Sequence, residues 1–282
     1  DALKKNIGRL NNVLAFYQLY ADGTPRDYTS THVLDRWILA RLAALVAEVT
    51  QGFETYRLDS ATRPIALFID DLSAWYVRRS RDRFKDEGDD KIAALATLRY
   101  VLHMLSRVIA PSMPFFAEHL FQSVKEGEDE ESVHLASWPD RLDLAFDAEK
   151  DLAFMFAARA LVSQALELRD KAKIKVRQPL ASLTLPIDPN LSEEYLEIVR
   201  DEVNIKSIVI GETFALDTTI TEALRAEGIV RDTIREIQAF RKEQNLNPGE
   251  KAAYRYTGAE SEIVKRHAGD IEAATATEIQ FD

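Results

Sequence analysis

The chain has 282 residues, of which 46% are hydrophobic and 29% are charged, and its net charge is −11 at neutral pH. This balance is typical of a globular protein with a sizeable core, and it argues against a protein coated in nucleic-acid-binding charge. The sequence contains no cysteine, which excludes disulfides, thiol nucleophiles and cysteine-based metal sites. A local cationic patch remains compatible with RNA binding, because salt limits the reach of surface charges to about 10 Å.

Targeting and metal-binding signals are missing from the sequence. The five histidines are scattered without ligand spacing, so no metal site is predicted. The first ten residues contain no apolar signal-peptide core, and no apolar run approaches the roughly 20 residues that cross a bilayer. These observations predict a cytoplasmic protein without a membrane partner.

Apolar residues recur at steps of three and four through the first half of the chain, which predicts amphipathic helices. These helices are expected at residues 2–21 and 31–56, from Pro64 to a loop around Gly88, from Ile92 to Ile109, and at residues 115–121. Pro64 is expected in the first turn of its helix, where proline is favoured. The acidic run 126–131 is expected to be a solvated loop. Long helices with short links predict an α-helical bundle.

The pattern changes after the Trp138–Pro139 pair. Helices are expected at residues 151–172, 192–203 and 220–244, and short strands at residues 182–187, 207–210, 252–256 and 277–281. Thr219 and Glu222 have the spacing of a capping box. The predicted fold is therefore mostly α, with a helical-bundle domain at 1–145 followed by a small α+β domain at 146–282.

The most informative segment is rich in arginine. Between Trp75 and Lys85 there are five positive charges and one negative charge. The core-facing stripe of this helix is expected to end near Tyr76 or Val77, so that its last two turns project into solvent with guanidinium groups around them. Guanidinium forks suit phosphate oxygens and aromatic faces suit unstacked bases. The alternative is that these arginines form a solvated helix end paired with the acids of residues 86–90.

The stretch FIDDLSAWYVRRSRDRF, residues 68–84, closely resembles a signature of the anticodon-binding domain of isoleucine–tRNA ligases. Further stretches resemble the same family in the same order: NVLAFYQLYADG, LDRWILARL, VIAPSMPFFAEHLFQ, ESVHLASWP, KIKVRQPLASLTL, DEVNIKSI and LDTTITEALRAEGIVRDTIREIQAFRKEQNL. The valine and leucine ligases share the bundle, and the RRSR run favours isoleucine. One departure is Lys85, where the family commonly has tryptophan.

The resemblance implies an anticodon-binding domain followed by a C-terminal junction domain. It also implies that the anticodon-binding domain recognises the anticodon stem-loop of tRNA(Ile). The residues expected to contact tRNA are Trp75, Arg78, Arg79, Arg81, Arg83, Lys175 and Arg177. The chain has no HIGH-type or KMSKS-type motif and no editing-domain segment. It is therefore expected to be an inactive part of a longer ligase, with no catalytic residue, metal or cofactor of its own. ATP and Mg would serve the full-length enzyme, which is expected to be a monomer that binds no DNA.

Other readings of the same residues stay open. An acidic helical scaffold that binds a protein partner is one alternative, and the equivalent part of a valine–tRNA ligase is another. The basic run from Lys171 to Arg177 also fits a solvated helix end. Asp70 and Asp71 are interpreted as structural, because adjacent helix residues point about 100° apart and do not share a substrate.

Overall fold

The computed structural model describes residues 2–247 and 249–281 of the chain. It is mostly helical, with a helical part followed by an α+β part, which confirms the predicted fold class. Its contacts define two compact units, an N-terminal unit ending at Met155 and a C-terminal unit beginning at Phe156. This division lies within a helix, ten residues after the boundary expected at 145.

The N-terminal unit is a bundle of helices. It contains α1 (Ala2–Tyr20), α2 (Val33–Glu54), α3 (Leu58–Asp70), a π-helix (Asp71–Val77), α4 (Arg81–Lys85), α5 (Asp89–Ile109), α6 (Pro114–Val124) and the start of α7 (Ala148–Lys171). α2 packs against α3 and α5, and α5 packs against α6. Of the described helices, α5 is long and apolar enough to cross a membrane by length and composition, but most of it is buried in the bundle, as in a core helix.

The start of α3 differs from the prediction. The helix begins at Leu58, and Pro64 lies in its interior rather than in its first turn. The reason is the contact with α2, because the fully buried Ala61 of this early turn packs directly on Gly52. A Cβ at Gly52 would lie 2.6 Å from the Ala61 backbone nitrogen, so the close approach of the two helices requires glycine.

We expect Gly52→Ala to destabilise the N-terminal unit by about 1–3 kcal/mol, because the added methyl group meets backbone atoms of α3 that a rotamer change does not move. Urea unfolding measures this loss. Gly8→Ala is the matched control, since a Cβ there meets nothing within 4 Å. An unchanged or raised unfolding free energy for Gly52→Ala would mean that α2 and α3 are less closely packed.

The arginine-bearing segment does not project from the bundle, which corrects the expectation that its core-facing stripe ends near Val77. Every fourth residue here faces the core, and these residues are Leu72, Tyr76, Ser80 and Phe84, all fully buried. An α-helix of 3.6 residues per turn would rotate such a series off one face. The wider turns of the π-helix reduce that rotation and keep the later residues on the core side.

The acidic run 126–131 is a loop whose residues 127, 128, 130 and 131 are exposed, as expected of a solvated loop, but Glu126 and Asp129 are held against the bundle. Arg26 donates to both carboxylate oxygens of Asp129, with its Nη2 atom 2.6 Å from Oδ1. Its backbone N–H donates to Glu126 at 2.7 Å, and Arg99 lies 3.2 Å from the same carboxylate. His103, buried on α5, has its Nε2 atom 3.3 Å from Asp129.

This cluster makes the stability of the unit depend on pH. Burial, followed by the charge of Arg26, lowers the pKa of His103 from 6.5 to about 4. The unfolded chain therefore binds a proton near pH 6.5 that the folded chain resists. The contribution of the neutral His103 to the free energy of unfolding is fully present above pH 6.5 and is lost as the pH falls toward 4.

Between pH 7 and pH 5 we expect a loss of about 2 kcal/mol in the free energy of unfolding, measured by urea titration. His103→Gln should lose most of this dependence over the same range. The explanation fails if the variant keeps the wild-type pH profile.

The C-terminal unit combines two small sheets with helices. After the remainder of α7, it contains β1 (Leu180–Leu185), α8 (Glu193–Val203), β2 (Ile205–Ile210), β3 (Ala215–Leu216), α9 (Glu222–Glu243), β4 (Ala252–Tyr256), α10 (Ser261–Arg266), α11 (Ala268–Thr275) and β5 (Thr277–Phe281). β1 pairs with β2 in parallel and with β3 antiparallel, while β4 and β5 form a separate parallel pair.

Several features of this unit were not predicted. Strand β3 and helices α10 and α11 are new, and the strands form two sheets rather than one. The cap of α9 is Thr221, whose hydroxyl accepts from the Leu224 N–H at 3.3 Å, in place of the expected Thr219. A core of Ile237, Val264 and Ile271 among others joins α9, α10 and α11 to the second sheet.

Candidate nucleic-acid interface

The side chain of Arg83 lies inside the N-terminal unit. Its guanidinium donates two parallel bonds to Asp35, both 2.8 Å long, and further bonds of 2.8–3.0 Å to Asp90. Asp35 is fully buried on α2 and also accepts from the hydroxyls of Tyr76 at 2.9 Å and Ser30 at 2.6 Å. The expectation that Arg83 contacts tRNA is therefore corrected, because its donors are used in holding α4 against α2.

Proton affinities in this buried cluster follow from its geometry. Burial lowers the pKa of Arg83, but hydrogen bonds to Asp35 and Asp90 outweigh it, so the pKa lies above its ordinary value. Burial, reinforced by the charge of Asp35, raises the pKa of the Tyr76 hydroxyl well above 10. The arginine therefore stays charged and the phenol stays neutral across the physiological pH range. The hydrogen bonds of Arg83 and Tyr76 to Asp35 are thus present throughout that range.

Arg78 and Arg81 are exposed on the outer side of the same segment. The Arg78 Nε atom donates to the carbonyl of Ala74 at 2.7 Å, and its guanidinium carbon lies 5.8 Å from the ring centre of Trp75. The stacked arginine and the half-buried tryptophan thus form one surface. Among the residues that the structure describes, the Arg81 side chain makes no hydrogen bond or ion pair, which leaves its guanidinium open to a ligand.

The neighbours of this surface have mixed roles. Arg79 is half-buried, with its Nε atom below the surface, so it offers fewer outward donors than Arg78 or Arg81. Lys85 pairs with Asp82 at 3.0 Å on the surface of α4. We name Trp75, Arg78, Arg79 and Arg81 the arginine surface.

Asp70 and Asp71 have the structural roles that were expected. Asp70 lies 2.6 Å from Arg9 of α1, and Asp71 accepts from Arg41 of α2 at 2.9 Å. The two ion pairs tie the end of α3 and the start of the π-helix to different helices. They therefore fix the segment immediately before the arginine surface.

In the C-terminal unit, Lys175 is exposed in the turn that follows α7. Arg177 is half-buried and its Nε atom donates to Asp232 of α9. Lys175 is thus available for an external contact, whereas Arg177 would have to share its guanidinium with a carboxylate.

Sequence reasoning overlooked Asp35 as the partner of Arg83. The signal available was an acid in the strongly apolar stretch VLDRWILARL, since a buried charge requires a partner. The identity of that partner is not readable from local spacing, because the two residues are 48 positions apart.

Comparison with known proteins gives the family. Residues 35–185, more than half of the chain, match the family described as the anticodon-binding domain of tRNA ligase. The chain belongs to this family. The matched range contains the whole arginine surface as well as Lys175 and Arg177, so it includes every residue that was expected to contact tRNA.

Three relatives of the chain share the name isoleucine–tRNA ligase. Isoleucine–tRNA ligase of Clostridium tetani is 34% identical over 93% of the chain and 27% of the relative. The protein of the same name from Chlamydia caviae is 36% identical over 84% of the chain and 24% of the relative. That from Thermococcus kodakarensis is 39% identical over 63% of the chain and 17% of the relative. The chain spans about a quarter of the length of the first of these relatives.

Proposed function

We propose that this chain recognises the anticodon stem-loop of an isoleucine tRNA through the arginine surface. The observation that carries the proposal is the exposed pair Arg78 and Arg81 beside Trp75, in a chain whose net charge is −11. An exposed cationic surface on an acidic protein attracts phosphate locally, while the acidic remainder repels nucleic acid elsewhere.

The chemistry of these side chains suits a folded RNA loop. Arg81 offers a planar fork of donors to phosphate oxygens, and Arg78 is held in place by the Trp75 ring and the Ala74 carbonyl. The exposed part of Trp75 suits an unstacked base. Phosphate contacts would set affinity, and base contacts would set the choice of tRNA. Lys175 would add a phosphate contact from the C-terminal unit. Arg177 would add a weaker one, because its guanidinium also binds Asp232.

The activity of the longer protein follows as a proposal from the names of its relatives. We propose that the chain is part of an isoleucine–tRNA ligase that attaches isoleucine to tRNA(Ile) using ATP and Mg. Those reactions would belong to regions outside this chain, which by itself is expected to be inactive in ATP–pyrophosphate exchange. The whole protein would act in the cytoplasm as a monomer.

A competition experiment tests this function. The chain is titrated against labelled tRNA(Ile), with an unlabelled tRNA(Ile) anticodon hairpin and an unlabelled tRNA(Val) as competitors. We expect the hairpin to displace the tRNA and tRNA(Val) to bind at least about tenfold more weakly, the equivalent of one lost specific contact. A hairpin that fails to compete would reject anticodon recognition. Stronger binding of tRNA(Val) would favour the valine alternative.

A further inference from the structure

Arg169, in the last turn of α7, is a buried arginine that is bound by backbone carbonyls. Its Nη1 atom donates to the carbonyls of Lys175 at 3.0 Å and Gln178 at 2.9 Å, and its Nη2 atom donates to that of Asn204 at 2.8 Å. Within residues 2–247 and 249–281, no carboxylate pairs with it. Burying a charge without a carboxylate partner is costly. The three hydrogen bonds offset part of that cost, and they hold the turn that follows α7 beside Asn204.

A second side chain reinforces the same turn. Asn204 has a left-handed backbone, with φ at 56°, and its Nδ2 atom donates to the carbonyl of Val176 at 2.8 Å. Its Oδ1 atom accepts from Arg231 at 2.6 Å, which orients the amide. The carbonyls of residues 175, 176 and 178 are therefore all bound by side chains from elsewhere in the C-terminal unit.

The consequence concerns the cations of residues 173–177, which we name the basic turn. The Lys173 side chain is 82% exposed, and its backbone has φ at 58°, which is uncommon for residues other than glycine. Lys175 is exposed as well. Because Arg169 and Asn204 bind the carbonyls of Lys175 and Val176, the backbone from which the exposed Lys175 side chain projects is held in place.

We propose that Arg169 is a positioning residue that holds the basic turn ready to bind RNA phosphates while making no contact with RNA itself. This inference rests on the proposed function. A turn held before binding loses less conformational freedom when it meets its ligand, which strengthens binding without adding a contact. Only a guanidinium has a fork that reaches carbonyls on two separate segments, so lysine does not replace it.

The test is the salt dependence of tRNA(Ile) binding by the 282-residue chain. Lys175→Ala should reduce the magnitude of the log–log salt slope by about 0.7–0.9, the value of one lost phosphate contact. Arg169→Lys keeps the charge and should reduce the slope at least as much. Because both changes remove the same contact, the double variant should lose less than the sum of the two single losses.

Arg241 provides a matched control for a purely structural effect. It is also buried and donates to the carbonyls of Asn247 at 2.8 Å and Glu250 at 2.6 Å, but it holds a different loop. Arg241→Lys should lower the melting temperature and leave the salt slope unchanged. If Arg169→Lys does not fold, Asn204→Gly replaces it, because glycine accepts the left-handed backbone and loses only the side-chain bonds.

The outcomes separate this inference from the function on which it rests. A normal slope for a folded Arg169→Lys chain, or for Asn204→Gly in its place, with a reduced slope for Lys175→Ala, would overturn the positioning role. An unchanged slope for Lys175→Ala would overturn it too, since the basic turn would then touch no phosphate. In either case the arginine surface is tested by its own variants, and the proposed function stands or falls with them.

Discussion

Asp35→Ala should be among the most destabilising single substitutions in the N-terminal unit, with an expected loss of about 3–5 kcal/mol in the free energy of unfolding. The carboxylate accepts four hydrogen bonds from Arg83, Tyr76 and Ser30 while fully buried. Removing it leaves a guanidinium that is only 10% exposed with Asp90 as its remaining carboxylate partner. A buried charge that loses its buried partner is costly, because solvent does not replace that partner.

Asp90→Ala is the control for this prediction, because it removes the other carboxylate partner of Arg83 from a site that is 53% exposed. Solvent replaces an exposed partner, so the expected loss is below about 1 kcal/mol. Urea unfolding of both variants gives the comparison. Equal losses for Asp35→Ala and Asp90→Ala would contradict the assignment of Asp35 as the buried anchor of α4.

The second large effect is on RNA binding. Replacing both Arg78 and Arg81 with alanine should reduce the magnitude of the salt slope for tRNA(Ile) by about 1.5, the value of two phosphate contacts at 0.7–0.9 each. The affinity should fall at least about tenfold, since charge-assisted hydrogen bonds contribute roughly 1.5–3 kcal/mol each. Both side chains are exposed, so the fold and its melting temperature should change little.

Arg63→Ala is the matched control, because Arg63 is an exposed arginine of the same unit on α3. It lies 15 residues before Arg78, which is roughly 20 Å along a helix. Its replacement changes the net charge by one unit without touching the arginine surface, and it should leave the salt slope near the wild-type value. Equal effects from Arg63→Ala and Arg81→Ala would mean that overall charge, rather than the arginine surface, governs binding.

Much of the bundle was predictable because its helices bury a single face. Residues such as Leu34, Ile38, Leu42 and Leu45 recur at helical spacing and are buried as that spacing requires. The π-helix was not predictable in the same way. An α-helical period places Phe84 away from the core, whereas the fold widens the preceding turns to bury it. Tertiary packing therefore outweighed the local period at this point.

The candidate site shows a similar limit. The charge pattern predicted the same role, contact with tRNA, for Arg78, Arg81 and Arg83, since all three lie within six residues. Their difference depends on a carboxylate 48 residues earlier in the chain, which no local rule identifies. Likewise, Lys175 was found from its neighbouring cations, but Arg169, which binds the carbonyls behind it, has no signature in sequence. Partners that are distant in sequence decide which cations are open to a ligand.

Photo-crosslinking of the chain to a tRNA(Ile) anticodon hairpin, with the linked peptides mapped by mass spectrometry, tests the central claim most directly. The expected result is that crosslinks concentrate on residues 75–81 and are lost when excess unlabelled hairpin is added. Crosslinks that concentrate elsewhere in the chain and avoid residues 75–81 would contradict the claim that the arginine surface binds the anticodon loop.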